Sequence, residues 1–367
     1  MSQPFPDAVL FDILTRLPVR SLMRWRCVSR YYNSIITSPI FITRHFNLNR
    51  ARSLSNNHNV YLLSPISGPP LDPMSDREIC AVFCYSDRTL TEISRFLIPF
   101  PRVKVVGFCN GIFCLYNYRD DTIYLWNPSI KKSKMLATTA LTFKTVFPHF
   151  NHELAYHSQN NDFKILRILC YYGTSMVLPQ ALVYTLSTDS WRRVVVPEGS
   201  LTQSIGLIPE IPIIFFNGAL HCIANTTEDD SFILCFDVND ERFREILLPA
   251  NDFRVKHKRL VVIKGSLALV CYGKDLNEES DKCCIWVMRE YGVVESWTRS
   301  TIPVNFGRVF GSTTSDELLI ETRDRWLVSL DPDSLNVNSL GIRSPRCLRY
   351  TTDFMESLVL VDGENQD

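Results

Sequence analysis

The sequence predicts a multidomain α plus all-β chain: a small N-terminal three-helix unit, then a β-propeller-like domain of about six irregular blades. Three observations carry this. Apolar residues recur at helical spacing only in the first fifty or so positions. From about residue 55 onward, short β-branched and aromatic runs alternate with Gly, Asn, Asp, Ser and Pro, the pattern of an all-β domain. Within that stretch a strand, a polar turn and an aromatic or Leu return together at a spacing close to that of a four-stranded blade.

Composition narrows the function classes. At 367 residues the chain is long for one domain, and 46% hydrophobic with 21% charged residues is a globular balance rather than a disordered one. Lys plus Arg and Asp plus Glu number 39 each, for a net charge of zero. A dedicated nucleic-acid binder needs a basic excess to neutralise phosphates, so no nucleic acid is expected as a partner. The charge is uneven: residues 1–50 hold seven Arg, no Lys and two Asp (net +5), leaving 32 basic against 37 acidic residues elsewhere (net −5). Asp7 and Asp12 interrupt the first apolar residues and no basic segment precedes them, so no export leader is expected. The uncharged stretch Ile211–Thr227 is broken by Pro212, Asn217-Gly218 and His221. It reads as strand, turn, strand, and no membrane is expected as a partner. Twelve Cys without a leader read as reduced, buried small hydrophobes. None forms a C-x-x-C pair, so no zinc module is expected.

The helical head is punctuated sharply. Leu10, Ile13, Leu14 and Leu17 fall at i, i+3, i+4 and i+7 on a helix starting near Pro6, where a missing N–H costs nothing. Pro18 ends it. Ser21 is the expected cap of a second helix carrying Leu22, Trp25 and Val28, and Ser29 that of a third carrying Tyr32, Ile35 and Ile36, ended by Pro39. Three such helices enclose little core alone, so part of their apolar surface faces either another molecule or the rest of the chain.

Phe5 to Phe41, F-P-D-A-V-L-F-D-I-L-T-R-L-P-V-R-S-L-M-R-W-R-C-V-S-R-Y-Y-N-S-I-I-T-S-P-I-F, resembles a plant-type F-box at nearly every position. Phe5 stands where the family has Leu, and Tyr32 where it has Trp; Tyr keeps a large ring with a polar tip, so weakened packing is expected there. The resemblance implies docking to a Skp-type adaptor and, through it, to a cullin. Carried over by position, Pro6, Leu10, Ile13 and Leu14 would touch the adaptor from the first helix, Leu17, Pro18, Ser21 and Leu22 from the first turn, and Cys27, Val28, Tyr32 and Ile36 from behind them.

The body repeats. Ile123–Ile130, Val183–Trp191, Leu234–Phe243, Ile285–Trp297 and Val328–Leu335 share the strand–turn–aromatic form. Aligned on Asn127, Ser187, Asp237, Met288 and Asp331 they lie 60, 50, 51 and 43 residues apart, near the period of a propeller blade. Tyr61–Pro65 is a fainter copy. Asn110-Gly111, Asn217-Gly218 and Lys264-Gly265 each precede an alternating apolar strand; Asn-Gly favours the positive φ angles of a tight hairpin. Met355–Val361 reads as a last strand that closes the first blade. The phrases C-N-G-I-F-C-L, L-W-N-P-S, D-S-W, N-G-A-L-H, W-V-M-R-E-Y-G-V-V-E-S-W and M-E-S-L-V-L resemble the kelch-like F-box-associated domain of plants. Ile285–Trp297 and Met355–Leu360 are most similar to pollen S-locus F-box proteins and their relatives, defence regulators among them. The kelch Gly-Gly pair and the Trp-Asp dipeptide are both missing.

No catalytic constellation stands out. G-x-G-x-x-G, the P-loop and G-x-S-x-G are absent. His152 and His157 are five apart, on opposite faces of a strand, rather than four apart on one helix face. His221 follows an Asn-Gly turn in an apolar strand and reads as a satisfied core or rim histidine. The sequence therefore implies no catalytic residue, no metal and no cofactor. It leaves an F-box (1–50), a propeller (51–363) and a polar tail (364–367). The family resemblance implies a substrate-recognition subunit of a Skp–cullin–F-box ubiquitin ligase in the cytoplasm, the nucleus or both; an F-box protein acting outside a ligase and a propeller enzyme are the alternatives. The subunit's target would be an S-locus ribonuclease were the chain of the pollen S-locus type. Loops at Ser67–Arg77, Tyr172–Pro179, Thr226–Ser231 and Lys274–Lys282 are the candidates for target capture.

Overall fold

A computed structural model describes residues 6–55, 59–65, 79–86, 89–136, 148–171, 178–197, 200–209, 211, 213–228, 230–250, 254–274, 281–302, 306–313, 315–344, 348–360 and 364–365. The chain divides into two compact units, residues 1–86, 91–138 and 352–367, and residues 87–90 and 139–351.

The first unit begins with four helices: α1 (Asp7–Thr15), α2 (Val19–Arg26), α3 (Arg30–Ile36) and α4 (Pro39–Ser55). α3 ends before Pro39 as expected, its C-cap being Thr37, but a fourth helix beyond the three expected begins at that proline. Pro39 occupies the first position of α4, where its missing N–H is harmless, and the Ser38 hydroxyl accepts from the Phe41 N–H at 3.3 Å. The helix crosses residue 50. Ser29 caps α3 as expected, accepting from the Tyr32 N–H at 3.2 Å. Ser21 caps nothing: α2 already starts at Val19 behind Pro18, with no side-chain cap of its own. Phe41 meets Phe11 edge-on at 5.2 Å. Behind it His45 is fully buried and bonds the Leu17 carbonyl through Nε2 at 3.0 Å; burial lowers its pKa, so the neutral ring donates.

Strands follow in order: β1 (Asn59–Pro65), β2 (Ile79–Ser86), β3 (Thr89–Leu97), β4 (Val103–Cys109), β5 (Ile112–Asn117), β6 (Thr122–Asn127) and β7 (Lys132–Met135). In the second unit come β8 (Pro148–His157), β9 (Asp162–Tyr171), β10 (Gln180–Thr185) and β11 (Ser190–Val194); β12 (Ile205–Leu207), β13 (Ile214–Phe216), β14 (Ala219–Thr226), β15 (Ser231–Asp237) and β16 (Phe243–Leu247); β17 (Arg254–Ile263), β18 (Ser266–Lys274), β19 (Asp281–Met288) and β20 (Trp297–Ile302); and β21 (Phe306–Ser312), β22 (Leu318–Thr322), β23 (Trp326–Leu330) and β24 (Val337–Arg343). Two strands end the chain, β25 (Leu348–Asp353) and β26 (Glu364–Asn365). Among the described residues these form six antiparallel sheets, a β-propeller. Their orders are β25-β1-β2-β3, β26-β7-β6-β5-β4, β11-β10-β9-β8, β12-β14-β15-β16 with β13 also on β14, β17-β18-β19-β20, and β21-β22-β23-β24.

The repeat reading maps onto most of this, although Ser187 falls two residues past its third strand and the fainter copy Tyr61–Pro65 lies in β1, second in its sheet. Asn127, Asp237 and Met288 end the third strand of their sheets, and Asp331 directly follows one. Asn110, Asn217 and Lys264 take φ of 52°, 49° and 48°, each followed by a glycine at positive φ, as first-to-second-strand hairpins require. Met355–Val361 is not the closing strand: residues 354–358 are coil and 359–360 a turn. The strand that joins the first sheet is β25, beside β1, while Glu364 and Asn365, placed in the tail, add β26 to the β4–β7 sheet by pairing with Ser133 and Lys132.

In the second unit the apolar cores lie between successive sheets. Leu166, Ile168, Val183, Leu220, Phe232 and Phe236 share one, and Val261, Val270, Ile285, Ile320 and Val328 another. His221 is fully buried, and its Nε2 lies 2.7 Å from the Tyr291 hydroxyl while Nδ1 is 3.1 Å from the Ala219 carbonyl. A carbonyl only accepts, so Nδ1 carries the proton and the tyrosine donates to Nε2. Burial lowers the pKa of His221 to about 4, against about 6.5 unfolded. A histidine depressed in the fold costs stability as pH falls from the unfolded value towards the folded one, because the unfolded chain takes up the proton first. We expect about 2 kcal/mol to be lost between pH 7 and pH 5 on this account. Urea midpoints at the two pH values, compared with His221→Gln, measure it; an equal loss in the variant would place the effect elsewhere.

Candidate docking surface

The helical head presents two faces. Leu14, Val19, Leu22, Ile36 and Phe41 are nearly inaccessible and form one core with Ile130, from the β6–β7 turn, and Leu358. Of the twelve sequence-assigned residues, Leu14, Leu22 and Ile36 therefore point inward in the free chain. Leu10, Leu17, Ser21 and Tyr32 are half-buried, and Pro6, Ile13, Pro18, Cys27 and Val28 are exposed. The helical stripe is real, but α4 and the neighbouring sheet take up its inner part.

The outward face is apolar where solvent exposure would favour charge. Val9 and Ile13 lie one turn apart on α1, 43% and 47% exposed; Trp25, Val28 and Tyr31 are 38%, 65% and 47% exposed. Trp25 and Tyr32 meet edge-on at 4.9 Å, and Tyr31 and Tyr32 at 5.7 Å. The Tyr31 hydroxyl donates to Asp7 Oδ1 at 2.6 Å, and this bond to the carboxylate raises the phenol's pKa. The rings thus join the start of α1 to the α2–α3 corner, and Arg26 Nε fixes that corner by donating to Asn33 Oδ1 at 2.9 Å. Arg20, Arg24 and Arg30 are exposed around it, giving an apolar patch with a basic rim. Tyr32, the departure from the F-box pattern, fills its place as an aromatic between Trp25 and Tyr31. Sequence reasoning missed Val9 and Tyr31 altogether; the Tyr31-Tyr32 pair was the available signal, since helical phase puts only one of two adjacent rings inside.

The capture loops share a topological place. Tyr172–Pro179, Thr226–Ser231 and Lys274–Lys282 each span the connection from second to third strand in their sheets of the second unit. Ser67–Arg77, residues 172–177, 229 and 275–280 lie outside the described residues. Thr226 organises its own loop: its hydroxyl accepts from the Glu228 and Asp230 N–H groups at 3.3 and 3.2 Å, leaving Glu228 and Asp230 exposed. Among the described residues no group of His, Cys, Asp or Glu is placed to hold a metal, and no helix is long and apolar enough to cross a membrane.

Comparison with known proteins gives the same two parts. The F-box domain family matches residues 4–44, and the F-box associated beta propeller domain family matches residues 75–344. An F-box/kelch-repeat protein of Arabidopsis thaliana is 26% identical over 299 residues, covering 80% of this chain and 78% of its own. An F-box protein of the same plant is 27% identical over 379 residues, covering 90% and 85%. With one family spanning the helical head and the other most of the β body, the chain belongs to the plant F-box proteins that carry an F-box associated β-propeller domain.

Proposed function

We propose that this chain is a non-catalytic substrate-recognition subunit of a Skp–cullin–F-box ubiquitin ligase, in the cytoplasm, the nucleus or both. The observation that carries the reading is the exposed apolar face of α1–α3 inside a domain matched as an F-box. A Skp-type adaptor would cover that face, Pro6, Ile13, Pro18, Cys27 and Val28 in contact, Leu10, Leu17, Ser21 and Tyr32 at its floor, with Leu14, Leu22 and Ile36 supporting it from within. The basic rim favours an acidic partner. The propeller would hold a target protein near the conjugating enzyme, raising the effective concentration of target lysines. An S-locus ribonuclease would be that target were the chain of the pollen type.

The deciding experiment is binding of the purified full chain to a Skp-type adaptor, followed by reconstitution with a cullin. Saturable binding and adaptor-dependent ubiquitination support the proposal; no binding overturns it. Cys27 gives a footprint. It is the one exposed cysteine among those described, eight of the others being buried. Alkylation of Cys27 should be fast in the free chain and at least tenfold slower with adaptor bound, read by peptide mass spectrometry. Unchanged labelling in a saturated complex would move the docking face elsewhere.

A further inference from the structure

Two phrases of the β body converge on a third, within the first unit. Asn127, of the L-W-N-P-S phrase, is fully buried and donates from Nδ2 to the Ser357 carbonyl at 2.9 Å, the Ser357 hydroxyl at 3.2 Å and the Val359 carbonyl at 2.8 Å. Its Oδ1 accepts from the Ser129 N–H at 3.0 Å, which fixes the amide's orientation. Gly111, of the C-N-G phrase, has φ +89°, and a Cβ there would stand 2.7 Å from Ser357 Oγ and 2.9 Å from the Met355 carbonyl. Phe354 stacks on Phe108 at 5.7 Å. The β4–β6 strands thus grip residues 354–359 from one side.

The other side of that stretch meets the helices. Leu358 is 1% exposed and sits in the core of Leu14, Val19, Leu22, Ile36 and Phe41. Glu356 lies beside the Val19 N–H and Arg20; burial raises its pKa, and these two neighbours oppose the rise. Val19 is the first residue of α2, whose N-cap, Pro18, offers no side-chain acceptor. A helix start leaves its first N–H groups unpaired and favours an anion. Glu356 brings a carboxylate to that start from more than 330 positions away in the chain.

We infer that Met355–Leu360 is a strap that fixes the helical head on the β4–β7 sheet, Asn127 and Gly111 anchoring it, Glu356 capping α2 and Leu358 completing the head's core. The family phrases at the two ends of the chain then serve one purpose: they set the angle at which the α1–α3 face is presented to that sheet. Coupling of this kind stands whether or not that face binds an adaptor.

Hydrogen exchange on the full chain tests it, with the β17–β20 peptides as the folded control. Asn127→Ala should speed exchange in residues 354–360 and, with them, in α1–α3 by at least tenfold, while the control peptides keep their wild-type rates. Glu356→Ala should speed exchange at the start of α2 at least fivefold, and Glu356→Gln, which keeps an acceptor, should restore most of the protection. A freed strap with α1–α3 exchanging as in wild type would overturn the inference, as would an unchanged α2 in Glu356→Ala. If Asn127→Ala loses protection throughout, the Glu356 pair decides alone. Adaptor affinity measured on the same samples keeps a failure of docking separate from a failure of the strap.

Discussion

Placing charge at Ile13 and Val28 is expected to abolish adaptor binding while leaving the fold intact. Both side chains are largely exposed in the free chain, 47% and 65%, so Ile13→Asp/Val28→Asp removes little native packing; surface changes of this sort shift stability by only about 0.5 kcal/mol each. In a complex the same positions would be desolvated anchors, each worth about 2 kcal/mol or more, and two together amount to roughly a thousandfold in affinity. Leu14→Ala is the contrast. That side chain is 1% exposed, and truncation in a packed core costs about 2–5 kcal/mol of stability, so its binding would fail only as the head unfolds. Calorimetric titration with the adaptor, beside the circular dichroism of each variant, separates the two. A folded Ile13→Asp/Val28→Asp chain binding within threefold of wild type would remove the α1–α3 face from the docking reading.

That contrast also marks where the sequence stopped being legible. The period-3.6 stripe located α1 and α2, and the positive-φ demand of Asn110-Gly111, Asn217-Gly218 and Lys264-Gly265 located three hairpins, because both signals are local. Which side of the stripe faces inward is not local. It depends on α4, hidden behind a proline read as a stop, and on Ile130 and Leu358, distant in sequence. Met355–Leu360 misled for a related reason. Its alternation of Met, Ser, Leu, Val and Leu resembles a strand, yet Ser357 and Val359 give their carbonyls to the Asn127 side chain instead of to a neighbouring strand. One buried amide can outbid a pleat, and nothing in the residues 355–360 themselves announces it. Tyr291 was likewise invisible as the partner of His221, seventy positions upstream.

Gly111 and Gly265 allow the strap's packing to be weighed against backbone strain alone. Both follow a residue of positive φ in an equivalent hairpin, at φ +89° and +69° themselves. An alanine at either adopts the left-handed region at a cost of about 1–2 kcal/mol. At Gly265 no heavy atom lies within 4 Å of the added methyl, so that cost is the whole effect. At Gly111 the methyl runs into the Met355 carbonyl and Ser357, and overpacking of this kind adds about 1–3 kcal/mol. Gly111→Ala is thus expected to lose about 2–5 kcal/mol, read from native-state exchange of the β4–β6 peptides, against the smaller loss in β17–β18 for Gly265→Ala. Since the Met355 carbonyl is backbone, rotamer changes cannot relieve the clash; the strap itself must shift, and α2 should lose protection in Gly111→Ala alone. Equal losses in the two variants, with α2 unaffected, would mean that residues 355–357 do not lie against the β4–β5 turn and that the helical head is held by other contacts.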